Sequence, residues 1–209
     1  PTPEGTYKGE LINTSIVSGE PYGNGTYETK MSSVLDGNRF PNAAFGDNKE
    51  DTISDYAYND TTGEYDGTEN TLTNEGDILG EWLQIKYPKP VKLSYFEMQP
   101  RPFYAFTAIK EFVLVGSNDE INWNVVKSGT FDEITDATTS TSKYFKISGN
   151  SQITFNTVYY LYYRFICKSV YVNGETGDDP NQQSYLSIGQ WIPYGQSDTL
   201  GLQYPPAPL

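Results

Sequence analysis

Between Val158 and Val170 the chain reads Val-Tyr-Tyr-Leu-Tyr-Tyr-Arg-Phe-Ile-Cys-Lys-Ser-Val, a long aromatic and apolar run with the character of a β-strand. A strand of this kind is buried on both faces. It therefore belongs in the middle of a sheet, with other strands beside it and further structure packed over it. At 209 residues the chain is long enough for one domain with a sizeable core. Its 18 Tyr, 10 Phe and 3 Trp beside 19 Gly and 13 Pro are the makings of aromatic strands separated by punctuated turns.

The flanking sequence supplies the partners. Glu81 to Tyr87 alternates, with Leu83, Ile85 and Tyr87 on one face, and Val91 to Met98 does the same after a turn at Pro88-Lys89-Pro90. Ile109 to Val115 ends in the turn cluster Gly116-Ser117-Asn118-Asp119, followed by Trp123 and the short strand Val125-Val126, which reads as a hairpin. Residues 135–142 read as a Thr/Ser-rich loop, Lys143 to Ile147 and Gln152 to Phe155 as short strands, and Tyr185 to Tyr194 as one more strand. Residues 1–12 form a lead-in with one edge strand around Leu11-Ile12. The last fourteen residues, 196–209, form a Pro-rich tail too poor in ladder donors to join a sheet. About eight short strands, no helical stripe and no repeat at a fixed period predict an all-β chain, an antiparallel β-sandwich or jelly roll over 13–195.

Charge and absent residue types narrow the function. The net charge of −13 repels phosphate backbones and anionic bilayers, so no nucleic acid partner is expected and an anionic membrane is disfavoured. From Asp47 to Glu81 there are eleven acidic residues against Lys49 alone, a net of −10, and the segment reads as a solvated loop. Without histidine there is no Ser-His-Asp or Cys-His nucleophile and no His-ligated metal. The single Cys167 forms no intramolecular disulfide. No carboxylate pair stands out from 27 acidic residues, and neither a phosphate loop nor a nucleophile elbow occurs, so the chain is not read as an enzyme. No window is apolar enough to span a membrane and no signal peptide is visible. A start at Pro-Thr-Pro suggests a processed or excised piece of something longer.

Four ordered pieces are similar to the discoidin-like domains, the group that includes the C domains of blood coagulation factors five and eight and many bacterial carbohydrate-binding modules. They are Gly80-Glu81-Trp82-Leu83-Gln84-Ile85, then Gly116-Ser117-Asn118-Asp119 with Trp123, then Tyr162-Tyr163-Arg164, and finally Ser187-Ile188-Gly189-Gln190-Trp191-Ile192-Pro193-Tyr194-Gly195. Upstream, Leu35-Asp36-Gly37-Asn38 resembles the family's Asp-Gly loop. Independently of the family, Trp82 and Trp123 are large enough to pin sheet register, Asn118 and Asp119 suit a tight turn, and Arg164 among aromatic neighbours needs a partner. Two departures are visible. The family's Thr-x-Trp segment after the Asp-Gly loop is missing, with Tyr56 or Tyr58 the nearest substitutes, and its late acidic residue is Gln190 here.

The resemblance implies a discoidin-like jelly roll and one structural calcium ion, held by Asp36, Asn38, Asp51, Thr52 and Gln190. For ligand binding the residues themselves point to Pro100-Arg101-Pro102-Phe103-Tyr104-Ala105-Phe106, a loop between strands with three aromatics and a cation. Sugar C–H faces stack on rings and sugar hydroxyls pair with Arg101, so Arg101, Phe103, Tyr104 and Phe106, with Tyr56 and Tyr58, form the candidate surface for a glycan or glycoprotein. Tyr22-Gly23-Asn24-Gly25-Thr26-Tyr27 and Thr62-Gly63-Glu64-Tyr65-Asp66-Gly67 also resemble variants of the domain in predicted proteins of large DNA viruses. The alternative role is therefore a structural or adhesive virion component that binds virion or self-assembly partners. Either role implies an extracellular or virion-surface location.

Overall fold

A computed structural model of the chain describes residues 5–8, 26–36, 39–45, 52–99, 108–131, 157–172 and 184–197. In chain order the described strands are β1 (Gly5–Lys8), β2 (Thr26–Met31), β3 (Thr52–Tyr58), β4 (Asn70–Thr73), β5 (Gly76–Leu79), β6 (Glu81–Gln99), β7 (Ile109–Ser117), β8 (Asn124–Thr130), β9 (Tyr160–Val170), β10 (Ser184–Ile188) and β11 (Gln190–Ser197). One short 3-10 turn, Pro41–Phe45, lies between β2 and β3.

The aromatic run becomes β9, and it is central, as its sequence requires. It pairs antiparallel with β6 on one side and β7 on the other, in a sheet of order β1-β2-β6-β9-β7-β8, with β11 added along β6. Alternation sorts its side chains. Tyr163, Phe165 and Cys167 face the main core, with Leu83 and Ile85 of β6 and Phe112 and Leu114 of β7. Phe96, from the later half of β6, meets Phe112 and Phe165 edge-on at 5.6 and 5.7 Å between ring centres, and Trp191 of β11 meets Phe165 at 5.7 Å. The later half of β6, with β11, thus lies across the core from β9, and β3 and β10 close the same core with Tyr58, Leu186 and Ile188. This is an antiparallel sandwich, and the all-β expectation is borne out.

The opposite face of the large sheet carries a smaller cluster of Val113, Val115, Trp123 and Ile166, with Ile78, Trp82, Val125 and Tyr162 packed against it. Arg164 lies buried in this face. Its guanidinium carbon sits 3.8 Å from the centre of the Trp82 ring and 4.3 Å from that of Trp123. Its nitrogens donate to Gln84 Oε1 at 3.0 and 2.8 Å and to Thr71 Oγ1 at 2.9 Å. Burial lowers the guanidinium's pKa below its ordinary value, but the group remains a cation at neutral pH.

Three elements differ from the sequence reading. Pro88-Lys89-Pro90 does not turn the chain back. β6 is continuous through it, and between the pairs Lys86↔Tyr162 and Val91↔Tyr160 it spends five residues where β9 spends two. Two prolines remove two ladder donors, so pairing with β9 lapses there and the strand passes into the second layer instead of ending. Tyr185 to Tyr194 is two strands, because the chain leaves β3 and joins β6 at Gly189.

The acidic segment is not simply loop, since it contains β3 and the β4–β5 hairpin. Its inward positions are filled largely by Thr52, Ser54, Thr71 and Thr73, all buried, so no apolar alternation marks the strands. Their hydroxyls and the neighbouring backbone share hydrogen bonds, as where Leu186 N–H donates to Ser54 Oγ at 3.0 Å. At the termini, β1 pairs with β2 within the expected lead-in and β11 reaches Ser197. Leu11-Ile12, the 135–142 loop, the strands expected at Lys143–Ile147 and Gln152–Phe155, and residues 198–209 lie outside the described residues.

The turn over 59–66 anchors the acidic segment to the end of β9. Gly63 has φ +73°, accepts the Val170 N–H at 2.9 Å, and lies so close that a Cβ would stand 2.0 Å from the Val170 carbonyl oxygen. We predict that Gly63→Ala costs at least ~2 kcal/mol, from left-handed strain plus the clash, and lowers the melting midpoint by roughly 5 °C or more. An unchanged midpoint would show that this contact does not hold the segment.

Candidate functional site

The small sheet of β3 and β10 presents one face to the core and one to solvent. Ile53, Leu186 and Ile188 are buried. Tyr56, 50% exposed, and Tyr185, half-buried, are cross-strand partners whose rings lie 5.8 Å apart at 55°. The two rings, one exposed and one half-buried, pair across adjacent strands as an aromatic platform. Asp55, exposed, precedes Tyr56 on β3, and Asp60 accepts the N–H of Ser184, next to Tyr185, at 2.6 Å. Asn59 Oδ1 accepts the N–H groups of Thr61 and Thr62 at 2.9 Å each, which fixes the turn that carries Asp60.

A buried carboxylate supports this strand from the other side. Glu81, 3% exposed, accepts hydrogen bonds from the hydroxyls of Ser32, Ser33 (2.6 Å) and Tyr65 (3.1 Å). Ser33 Oγ in turn accepts the Asp55 N–H at 3.0 Å, one residue from Tyr56. Burial raises the Tyr65 phenol well above its ordinary pKa, so it stays a donor.

Tyr58 does not belong to the exposed surface expected of it. It is 6% exposed, its ring packs on Tyr65 at 5.3 Å, and its hydroxyl donates to the Cys167 carbonyl at 3.0 Å. The two tyrosines differ because Tyr58 lies where β3 meets the end of β9, whereas Tyr56 lies outside the core. Tyr185 was not singled out from the sequence. Its alternation with Leu186 marks it as outward-facing, but its pairing with a tyrosine 129 residues earlier leaves no local signal. Arg101, Phe103, Tyr104 and Phe106 lie outside the described residues, in the connection from β6 to β7.

The residues expected around calcium are only partly described. Asp36 is exposed, with Oδ2 3.8 Å from Arg39 Nε, and the adjacent Leu35 N–H donates to the Ile53 carbonyl at 3.1 Å, so this loop lies against the start of β3. Thr52 is buried there and its hydroxyl donates to the Phe40 carbonyl at 2.9 Å. Gln190 begins β11 opposite Gln99. Asn38 and Asp51 lie outside the described residues, and among the described residues no group of three or more acidic or sulfur ligands is assembled.

Comparison with known proteins places this geometry. The profile of the F5/8 type C domain matches residues 28–159. Among solved structures the chain is similar to CBM32-3 from a family 31 glycoside hydrolase of Clostridium perfringens, with 22% identity, a TM-score of 0.52, and coverage of 79% of this chain and 88% of that one. It is also similar to a putative chitobiase fragment from Bacteroides thetaiotaomicron, with 12% identity, a TM-score of 0.51, and coverage of 82% and 89%. No curated protein matches the chain. Both structural likenesses are likenesses of fold. Neither of these neighbours supports the viral origin or the virion role entertained from the sequence.

The contrast between the two tyrosines is testable by removing single hydroxyls. Tyr58→Phe should cost about 1 kcal/mol in chemical denaturation, because the Cys167 carbonyl loses a buried donor. Tyr56→Phe should cost nothing measurable. Equal effects would show that Tyr58 is not held in the core by this bond.

Proposed function

The chain belongs to the F5/8 type C domain family, and from that premise we propose that it is a non-catalytic carbohydrate-recognition module acting at an extracellular surface. The observation that carries the reading is the cross-strand pair of Tyr56 and Tyr185 at the surface, with the Asp60 carboxylate held at Ser184, next to Tyr185. A sugar ring offers C–H faces that stack on aromatic rings, and hydroxyls that donate to carboxylates. On their residue types alone, three rings and a cation in one connection, Arg101, Phe103, Tyr104 and Phe106 belong to the same proposal. The structural neighbour from Clostridium perfringens is CBM32-3 of a family 31 glycoside hydrolase, which supports a binding module of the kind that accompanies an enzyme. No observation favours the virion-component alternative.

A glycan array followed by titration of the best-bound sugar tests this. Tyr56→Ala and Tyr185→Ala should each weaken binding about tenfold, the scale of one lost aromatic contact, without moving the melting midpoint. An array without any bound glycan, or wild-type affinity in both variants, would overturn the proposal.

A structural calcium ion is the finer part of the same reading. Calcium takes hard oxygens. The described part of the expected set fits that chemistry, with the surface carboxylate of Asp36 on a loop braced against β3 and the hydroxyl of Thr52 nearby in sequence to Ile53. Asp36's ion pair with Arg39, at 3.8 Å, is long enough for a divalent ion to displace it. Added calcium should raise the melting midpoint relative to a chelator by mass action, and Asp36→Ala should abolish the rise. Identical midpoints under both conditions would overturn the calcium site.

A further inference from the structure

The Pro88–Pro90 corner holds a concentration of positive charge that the tyrosine platform does not use. In a chain with 14 cations among 209 residues, Lys86, Lys89 and Lys92 fall within seven positions. Two of them are held by aromatic rings. Lys86 Nζ lies 5.8 Å from the centre of the Tyr162 ring and Lys92 Nζ lies 5.4 Å from that of Tyr159, both within cation–π range. Tyr159 and Tyr162 flank Tyr160, the residue of β9 that pairs with Val91, so both ammonium groups are brought to the same end of β9. Lys89, between the two prolines, is exposed and has no partner among the described residues.

Among the described residues, the acidic groups near this corner are already engaged. Glu28 accepts from Lys86 at 2.8 Å, and Glu120 accepts from Lys30 at 2.8 Å and from Gln84 at 2.9 Å. Asp119 accepts the N–H groups of Ile121 and Asn122 at 2.9 and 2.8 Å, which hold its carboxyl well below the usual carboxylate range. Lys89 and Lys92 thus remain uncompensated among the described residues. The densest acidic stretch is attached at the far end of β9, where Tyr58 meets Cys167 and Gly63 meets Val170. Eleven strand residues separate the ends, roughly 30 Å and several Debye lengths at physiological salt. Among the described residues, the negative charge therefore does not cancel the positive corner at contact distance.

We propose that this corner is a second carbohydrate subsite, selective for sugars bearing an anionic group, with Lys89 and Lys92 as the charge-reading residues. Tyr159, itself half-buried, holds the Lys92 ammonium in place. Three lysines are too few for an anionic bilayer, which is engaged by clusters of four to eight, and too few for a nucleic-acid backbone against this net charge. A polysaccharide carrying one anionic group per sugar or disaccharide matches the small number of cations. The inference rests on the carbohydrate reading for the class of polymer, but not on Tyr56 or Tyr185.

The test measures binding of the whole chain to immobilised polygalacturonate, dextran sulfate and neutral dextran, across a salt series. Binding is expected to at least one anionic polymer, to weaken as salt rises, and to fall about tenfold in the Lys89→Glu, Lys92→Glu double variant. Which polymer binds identifies carboxylate or sulfate as the group read. Loss of glycan-array hits in Tyr56→Ala and Tyr185→Ala, with the anionic polymer still bound, separates the two sites. If charge reversal lowers the melting midpoint, the milder Lys89→Gln, Lys92→Gln pair carries the comparison. Absence of binding to both anionic polymers, equal binding by the variants, or lysine-dependent binding only to vesicles containing phosphatidylserine would overturn the proposal.

Discussion

One buried cation organises the outer half of this protein. Arg164 is removed from water with no carboxylate in ion-pair contact among the described residues, an arrangement that ordinarily costs several kcal/mol. The cost is offset by shape. A guanidinium is planar, so two indoles can take its two faces while its edge donates to Gln84 and Thr71. Gln84 then passes the charge outward, because its Nε2 donates to Glu120, which also receives Lys30. One side chain thereby ties together β2, β4, β6, β9 and the turn after β7. No ammonium could stack twice and fork once in that space.

That arrangement also explains which parts of the fold were legible in the sequence. Trp82, Trp123 and Arg164 stand in three motif fragments far apart in the chain, each readable as structural, and the structure shows them to be one stack. The β7–β8 hairpin was equally legible from its turn cluster Gly116-Ser117-Asn118-Asp119, and the structure adds a reason for the glycine, since a Cβ there would come within 2.3 Å of the Tyr160 ring. β9 announced itself by its aromatic run. Local patterns were sufficient wherever the stabilising contact is apolar burial at strand period.

The failures fall where polar groups fill inward positions or where contacts distant in sequence override the local pattern. In the acidic segment, buried threonines and a serine, satisfied by backbone groups or, at Thr71, by Arg164, hide β3 and β4 from any hydrophobic count. At Pro88-Lys89-Pro90 the local turn chemistry is genuine, but β9 and β11 claim the strand on either side and tertiary pairing carries it through. Tyr56 and Tyr58 look alike in sequence and differ only in what lies over them, so their separation into platform and core depends on β9 and β10. For the candidate site, its residue types could be read in advance, whereas its partner Tyr185 could not.

The placement of the platform bears on the kind of recognition it can offer. Tyr56 and Tyr185 stand on a two-stranded sheet whose inner face is locked by Ile53, Leu186 and Ile188, and whose backbone at Asp55 is tied through Ser33 to the buried Glu81. Rings mounted this way lose little freedom when a ligand arrives, which favours binding by reducing its entropic cost. Yet two rings on an open face cover only one side of a sugar, far from the near-complete enclosure of a ligand pocket. Preorganisation without enclosure gives selectivity for a ring face at modest strength per site. Greater strength on a polymer must then come from a second point of attachment on the same molecule, because a tethered second contact is formed at high effective concentration without enlarging the first.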